Sequence, residues 1–504
     1  MEIQVSFLFA TFLFFLFLLA KQYYNKSRTV QKLPPGPWKL PFIGNLHQLI
    51  GSLPHRSLKK LSEKYGPIMH LQVGELQTIV VSSARIAEET LKTNGVIFAD
   101  RPQLLLTKIM FYNFSDLGSS PYGEHWRQMR KLCVMELLST KKVQSFRNIM
   151  EEEFSSLVSR IQSSQGVPIN LTEYVAEAQI AIICRAAVGR RCSDQKALVT
   201  LAKDTASFAG IFNVGDIFPS LQFLDTLFGS KRKLVNMHKK VDIILENIIR
   251  EHEEDRLSTK GGQTGDQSSE EDLLDVFLRL KDSGEFQVPI TRENIKANIL
   301  ELFSAGTETS STAVEWAMAA MMKHPRVMEK AQAEVRKAFK GMEKISDCDV
   351  QSLSYLKMVI KETLRLYPPG PLLGPRISRE KCTIGGYDIP ANTIAVINGW
   401  AIGRDTEVWD NPDVFEPERF SNISTSYTGA HFELIPFGAG RRNCPGITFA
   451  IADLELSLAY LLYRFDWKLP GEISPEELDM TVKFGATAGR KHNLWLIPTS
   501  HVID

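Results

Sequence analysis

The residues best suited to chemistry lie in Phe437-Gly438-Ala439-Gly440-Arg441-Arg442-Asn443-Cys444-Pro445-Gly446, just ahead of an apolar helical stretch over Ile447–Tyr463. The glycines permit tight turns and a close approach of backbone to a flat ligand. Pro445 and Gly446 suit the start of the following helix, which places Cys444 at a helix N-terminus. That position, with Arg441 and Arg442 just before it, favours thiolate over thiol. Phe437 supplies an apolar lid that would keep water from a thiolate–metal bond.

A thiolate needs a use. A nucleophilic cysteine wants a histidine base, and no motif of that kind is present. A zinc site wants two to four Cys or His at short spacing, whereas the nearest histidine, His431, stands alone. The other cysteines, Cys133, Cys184, Cys192, Cys348 and Cys382, form no CxxC pair and read as buried small hydrophobes in a reducing compartment. A single thiolate as axial ligand of a haem accounts for every feature of the loop.

A second stretch, Ala305-Gly306-Thr307-Glu308-Thr309-Ser310, sits inside a helical pattern over Thr291–Lys323 with Thr291 as its N-cap. Such a helix is roughly 50 Å long. Mid-helix Gly306 costs about 1 kcal/mol relative to alanine. Thr309 can bond back to the carbonyl of Ala305 and loosen the ladder there. The hydroxyl of Thr309 and the carboxylate of Glu308 are what proton delivery to dioxygen requires.

The decapeptide at 437–446 resembles in full the cysteine-loop signature FxxGxRxCxG of the cytochrome P-450 family, at Phe437, Gly440, Arg442, Cys444 and Gly446. The wording of the other motifs is most similar to plant microsomal members of the 71 clan. The resemblance implies haem b (iron protoporphyrin IX), with Cys444 on the iron and Phe437 packed beside it. It places Trp126, Arg130, Arg376 and Arg442 on the haem propionates, where a guanidinium fork suits a carboxylate. It implies a buried Glu362–Arg365–Arg419 triad, from Lys361-Glu362-Thr363-Leu364-Arg365 and Pro417-Glu418-Arg419-Phe420, locking the segment behind the cysteine loop. It makes Thr309 and Glu308 the catalytic pair of an oxygen-inserting enzyme fed by NADPH–cytochrome P-450 reductase, with cytochrome b5 as an optional second donor. Arg127 and Lys131, outward on their helix, would either meet an acidic reductase or stand as a solvated basic pair.

Substrate-lining segments implied in the same way are residues 102–123, 208–215, 298–305, 369–374 and 484–488. They offer mainly apolar side chains, among them Leu104, Leu105, Leu106, Phe111, Phe208, Phe212, Leu302, Leu372, Leu373 and Ala486, with Asn298 and Thr487 as isolated hydrogen-bonding groups. The expected substrate is apolar, and the resemblance points to a terpenoid before an alkaloid or phenolic. A haem-thiolate isomerase or dehydratase and a non-catalytic membrane scaffold are the competing readings; Glu308 and Thr309 weigh against the first, Cys444 and Thr309 against the second.

Around these motifs, helical periodicity dominates from residue 55 onward, over Ser57–Tyr65, His125–Leu138, Lys142–Gln162, Leu234–Glu253, Leu273–Leu280, Pro325–Phe339 and Ser354–Leu366. Short strand-like runs occur at 68–73, 78–82, 394–397 and 494–497. The fold class is therefore mainly α with small β-sheets, and the resemblance implies the cytochrome P-450 fold behind a single N-terminal transmembrane helix. Polar, Gly/Ser-rich Ser258–Glu271 reads as a surface loop. At the N-terminus, Val5–Ala20 is an apolar run preceded by Glu2 and followed by Lys21, Lys26, Arg28 and Lys32. That order fits a transmembrane anchor with the catalytic body on the cytoplasmic side of the endoplasmic reticulum, and not a cleaved signal. The expected organisation is an anchor (1–22), a basic and Pro-rich hinge (23–45) and one haem-binding catalytic domain (46–504). Formal net charge is +1, from 59 basic and 58 acidic residues, and this argues against a nucleic-acid partner.

Overall fold

In the computed structural model, the described residues are 32–190, 205, 213–260, 271–284, 287–342, 345, 350–422, 425–427, 429–483, 485 and 487–501. The anchor expected at Val5–Ala20, most of the polar loop at 258–271, and Phe208, Phe212, Phe484 and Ala486 lie outside them. Among the described residues, no helix is long and apolar enough to cross a membrane.

In chain order, the elements that build the site begin with α1 (Pro54–Tyr65), β1 (Ile68–Val73) and β2 (Leu76–Val81). Next come α2 (Glu124–Leu132), α3 (Arg147–Gln162), α4 (Leu171–Val188) and α5 (Ser230–Lys260). The long helix α6 (Arg292–Lys323) follows, then α7 (Ser354–Leu366), β3 (Arg376–Ile377), β4 (Ile394–Ile397) and α8 (Ile447–Arg464). Helices α3, α4, α6 and α8 pack on one another as the core bundle. Their interior is apolar almost throughout: Phe154, Ile180, Phe303, Trp316 and Leu458 are fully or nearly fully buried. Trp316 also stacks on Tyr367, with ring centroids 4.6 Å apart.

Beside the bundle lies a sheet ordered β1-β2-β4-β3. Strand β2 runs parallel to β4, pairing Thr78 with Ile394 and Val81 with Ile397. Edge strand β3 pairs Arg376 with Ala395 in the antiparallel sense. The Pro-rich segment is part of this body: Pro35 O accepts from His70 N at 2.9 Å, and a Cβ on Gly36 would come within 2.0 Å of His70 O.

Helix limits differ from the periodicity in instructive places. The single helix expected over 142–162 is two, Thr140–Ser145 and Arg147–Gln162, because Ser139 caps the first and buried Phe146 turns between them to pack edge-on against Phe449. Helix α2 stops at Leu132, and the chain continues to Leu137 as one wide π turn. Helix α1 starts earlier than its apolar pattern, at Pro54, where a missing N–H costs nothing.

Candidate active site

Helix α6 begins as expected, with Thr291 as N-cap in a capping box with Asn294. Just past its middle, the Thr309 hydroxyl donates to Ala305 O at 2.6 Å, the back-bond that the motif predicts. Ala305, Gly306 and Thr309 line an internal cavity of about 840 Å³, within the range of small-molecule sites. Glu308 falls on the neighbouring face and is not among the lining residues. Phe437, Gly438, Cys444 and Gly446 line the same cavity. Gly438 and Gly440 both hold φ +70, and a Cβ on Gly440 would meet Leu91 O at 2.1 Å, so the loop's shape needs glycine there.

Cys444 sits deep in the protein, yet its side chain is open to the cavity. Burial pushes its thiol above the ordinary range; the Gly446 N–H and the Arg130 guanidinium pull it down. The two arginines expected to activate it do not do so. Arg441 is exposed, and Arg442 is turned away to Ala99 O (2.7 Å), Leu117 O (3.2 Å) and Ser120 O (2.5 Å). Their places in sequence next to Cys444 say nothing of direction, because the short 3-10 turn at Gly440–Arg442 aims each side chain differently.

Arg130 reaches across from α2 to Asn443, bonding its O (2.7 Å) and Oδ1 (2.5 Å). Trp126, one turn earlier, donates to Leu117 O at 3.2 Å and lies under the Arg442 guanidinium at 4.3 Å. Neither Trp126 nor Arg130 lines the cavity; Arg376 and Arg442 do. Arg376 is buried, with a single 3.5 Å bond to Ala439 O. Its pKa is driven well below the guanidinium range by burial and by Arg101, Arg442 and Arg130. Arg101, absent from the sequence reading, lines the same wall and bonds Gly118 O, Gly374 O and Pro375 O. A lone arginine before Pro102 carries no motif signal, and only the fold brings it to the others.

Buried cations crowded this way want an anion. A flat group bearing two carboxylates, with a metal to meet Cys444, satisfies them, so the residues present fit haem. Behind the cysteine loop, the expected triad is present. Arg365 donates to both Glu362 oxygens (2.7 and 2.8 Å) and Arg419 to Oε1 (3.0 Å), and these groups are shut off from solvent.

The family profile described as Cytochrome P450 matches residues 34–492. The chain belongs to the cytochrome P450 family. It is similar to premnaspirodiene oxygenase of Hyoscyamus muticus (50% identical, covering 97% of each chain) and to costunolide synthase of Cichorium intybus (49%, covering 94% of each). It is also 49% identical to desmethyl-deoxy-podophyllotoxin synthase of Sinopodophyllum hexandrum, over 97% of this chain and 96% of that one. Among solved structures, a zebrafish cytochrome P450 with progesterone aligns with TM-score 0.77 at 25% identity, over 89% of this chain and all of that one. As a cytochrome P450 monooxygenase, the protein takes haem b; Cys444 would hold its metal, and Arg101, Arg376 and Arg442 would meet its carboxylates. Bound there, the haem supplies redox-active iron for dioxygen chemistry and the cation that stabilises the thiolate.

Proposed function

We propose that this cytochrome P450 inserts oxygen into a terpenoid, with electrons from NADPH delivered by a membrane-bound reductase and cytochrome b5 as an optional second donor. The observation that carries the reading is the position of Thr309, whose hydroxyl is held by Ala305 O on the wall of the cavity that Cys444 also lines. Most of the remaining wall is apolar, including Ile183, Leu302, Leu372 and Leu373, which suits a hydrocarbon skeleton. Relatives named for terpenoid oxidation support the class of substrate. Thr309 supplies and steers protons; Glu308, off the wall, acts through it or through water.

The reductase reading draws on α2. Arg127 (ion-paired with Glu124 at 2.8 Å) and Lys131 are exposed, and Arg130 ties that helix to the cysteine loop, whose Arg441 is exposed as well. Together they give a basic face on the Cys444 side of the molecule, suited to an acidic partner. The membrane reading draws on the apolar run before residue 21 and on exposed Trp38, Phe42, Ile50, Phe223, Leu227 and Phe228. The segments holding them are bridged at Gly74 and Glu75, whose N–H groups bond Ile43 O and Ile217 O. Exposed apolar residues gathered on one side suit a lipid surface. Removing residues 1–28 should leave haem in place and some membrane association.

The test is turnover with reductase and NADPH against a terpenoid panel, for the wild type and Thr309→Ala. The variant should keep haem and NADPH consumption but lose product about 100-fold or more, with electrons leaving as hydrogen peroxide. Thr309→Ser should keep much of the product. Unchanged product per NADPH in Thr309→Ala would remove Thr309 from the proton path.

A further inference from the structure

Glu301 falls in the segment 298–305 but has been given no role of its own so far. It stands one turn before Ala305 and two before Thr309 on the same face of α6, roughly 6 and 12 Å along the axis. It is among the residues lining the cavity, deep in the protein yet partly open to that space. Its Oε2 accepts from Leu117 N at 2.9 Å, and a Cβ on Gly118 would lie 2.3 Å from its Oε1 and 3.3 Å from Asp116 Oδ2. Two buried carboxyl groups thus converge on Gly118, with Arg101 as their cation. Burial and the neighbouring Asp116 push the Glu301 carboxyl well above the carboxylate range. The N–H groups of Gly118 and Leu117 and the Arg101 guanidinium pull the other way; in its protonated form the carboxyl has an O–H to donate.

Asn298, three residues earlier and hence adjacent on the helix surface, lines the same cavity. Its Nδ2 donates to Asn294 O (2.7 Å) and Ser115 O (3.3 Å), and its Oδ1 is buried with no partner among the described residues. A donor and an unused acceptor side by side in an apolar wall match one group above others: an alcohol, which accepts from the first and donates to the second.

We propose that Glu301 and Asn298 form a specificity site that holds a hydroxyl group on the substrate, so that the preferred substrate is an already oxygenated terpenoid and its far end is presented to Thr309. The proposal rests on the terpenoid reading above and deepens it. The reaction that supplies this substrate is one that has already placed a hydroxyl on the skeleton. The spacing makes Glu301 a positioning residue, since it sets which carbon lies near Thr309 without touching the reacting atoms.

The test titrates a terpenoid hydrocarbon, its alcohol and its primary amine into the haem-loaded, full-length ferric protein and reads the substrate-induced shift of the haem band, a measurement that needs neither oxygen nor reductase. The wild type should bind the alcohol about three- to tenfold more tightly than the hydrocarbon, the worth of a buried hydrogen bond. Glu301→Leu should abolish that preference while leaving hydrocarbon affinity intact, and Glu301→Gln, which still donates, should keep most of it. Asn298→Ala leaves the Leu117–Glu301 bond in place and should lower the preference even where Glu301→Leu folds poorly. Equal losses for alcohol and hydrocarbon in these variants would overturn the proposal and leave Glu301 a brace for the loop at 115–120. Tightest binding of the amine, with the band shifting in the same direction as for the alcohol and so without its nitrogen on the iron, would overturn it in favour of a cation site. If neither terpenoid shifts the band, the terpenoid reading falls and takes the proposal with it; if both bind alike, only the proposal falls.

Discussion

Two clusters of buried charge flank the cysteine loop, and they are built on opposite principles. Behind it, Glu362, Arg365 and Arg419 are closed on themselves. Each Glu362 oxygen is taken by a guanidinium, and the spare N–H groups of Arg365 and Arg419 end on Gly403 O, Pro412 O, Asp410 O, Asn411 O and Val414 O. In front of it, Arg101, Arg442 and Arg130 all depress Arg376, for which no carboxyl is near among the described residues, while Glu301 and Asp116 face Arg101 and Arg442. A buried charge whose partner is in the chain is part of the scaffold. A buried charge that the chain leaves uncompensated marks the place of a charged ligand. The same residue type does either job, and the partner decides which.

The sharpest way to break the contrast is Glu362→Gln. It leaves two buried guanidinium groups without their anion and should cost about 3–5 kcal/mol, enough to lose the haem-loaded protein on expression. Chemical denaturation of whatever folds measures it, and a loss under about 1 kcal/mol would mean the triad is ornamental. Arg376→Met should act with opposite signs in the two states of the protein. The cofactor-free form should gain about 1–3 kcal/mol, since a buried uncompensated cation is removed, while haem affinity falls about tenfold or more. Destabilisation of both forms would place Arg376 with the scaffold.

A third buried charge sharpens the same line. Asp453 of α8 takes its one hydrogen bond from Gln179 Nε2 at 2.7 Å, while Asp453 Oδ1 and Gln179 Oε1 have no partner among the described residues. Burial pushes its carboxyl up to about 7. A folded-state pKa raised above the unfolded value means that ionisation opposes folding. The cost is absent below about pH 4 and complete above about pH 7. Asp453→Asn should therefore leave stability unchanged at pH 4 and raise it by about 1–2 kcal/mol at pH 8, as read by thermal unfolding. A gain of equal size at both pH values would detach the effect from the proton.

Much of this was legible in the residues, for identifiable reasons. Helix α7 runs from Ser354 to Leu366 as its pattern predicts, because its apolar face is regular and Pro368 and Pro369 stop it soon after. The Thr309–Ala305 bond was legible because helical geometry alone dictates it. What escaped is what depends on direction or on distant partners. The break at Phe146 comes from Phe449, about three hundred positions away along the chain. Arg442 points from the cysteine, not toward it, and Arg130 takes that place from another helix. Glu301 was open to discovery, since residues 301, 305 and 309 share a helix face. Its hidden partner, the backbone N–H of Leu117, was not.

The central claim is that Cys444 is the haem ligand and the front cluster its anion-binding side. The most direct measurement is the carbon-monoxide difference spectrum of reduced Cys444→Ala, recorded at equal haem loading beside the wild type. The variant should lose the band of thiolate-bound ferrous haem altogether, while a cofactor-free sample keeps the wild-type fold by circular dichroism. A band like that of the wild type would contradict the assignment of the ligand and, with it, the reading of the whole site.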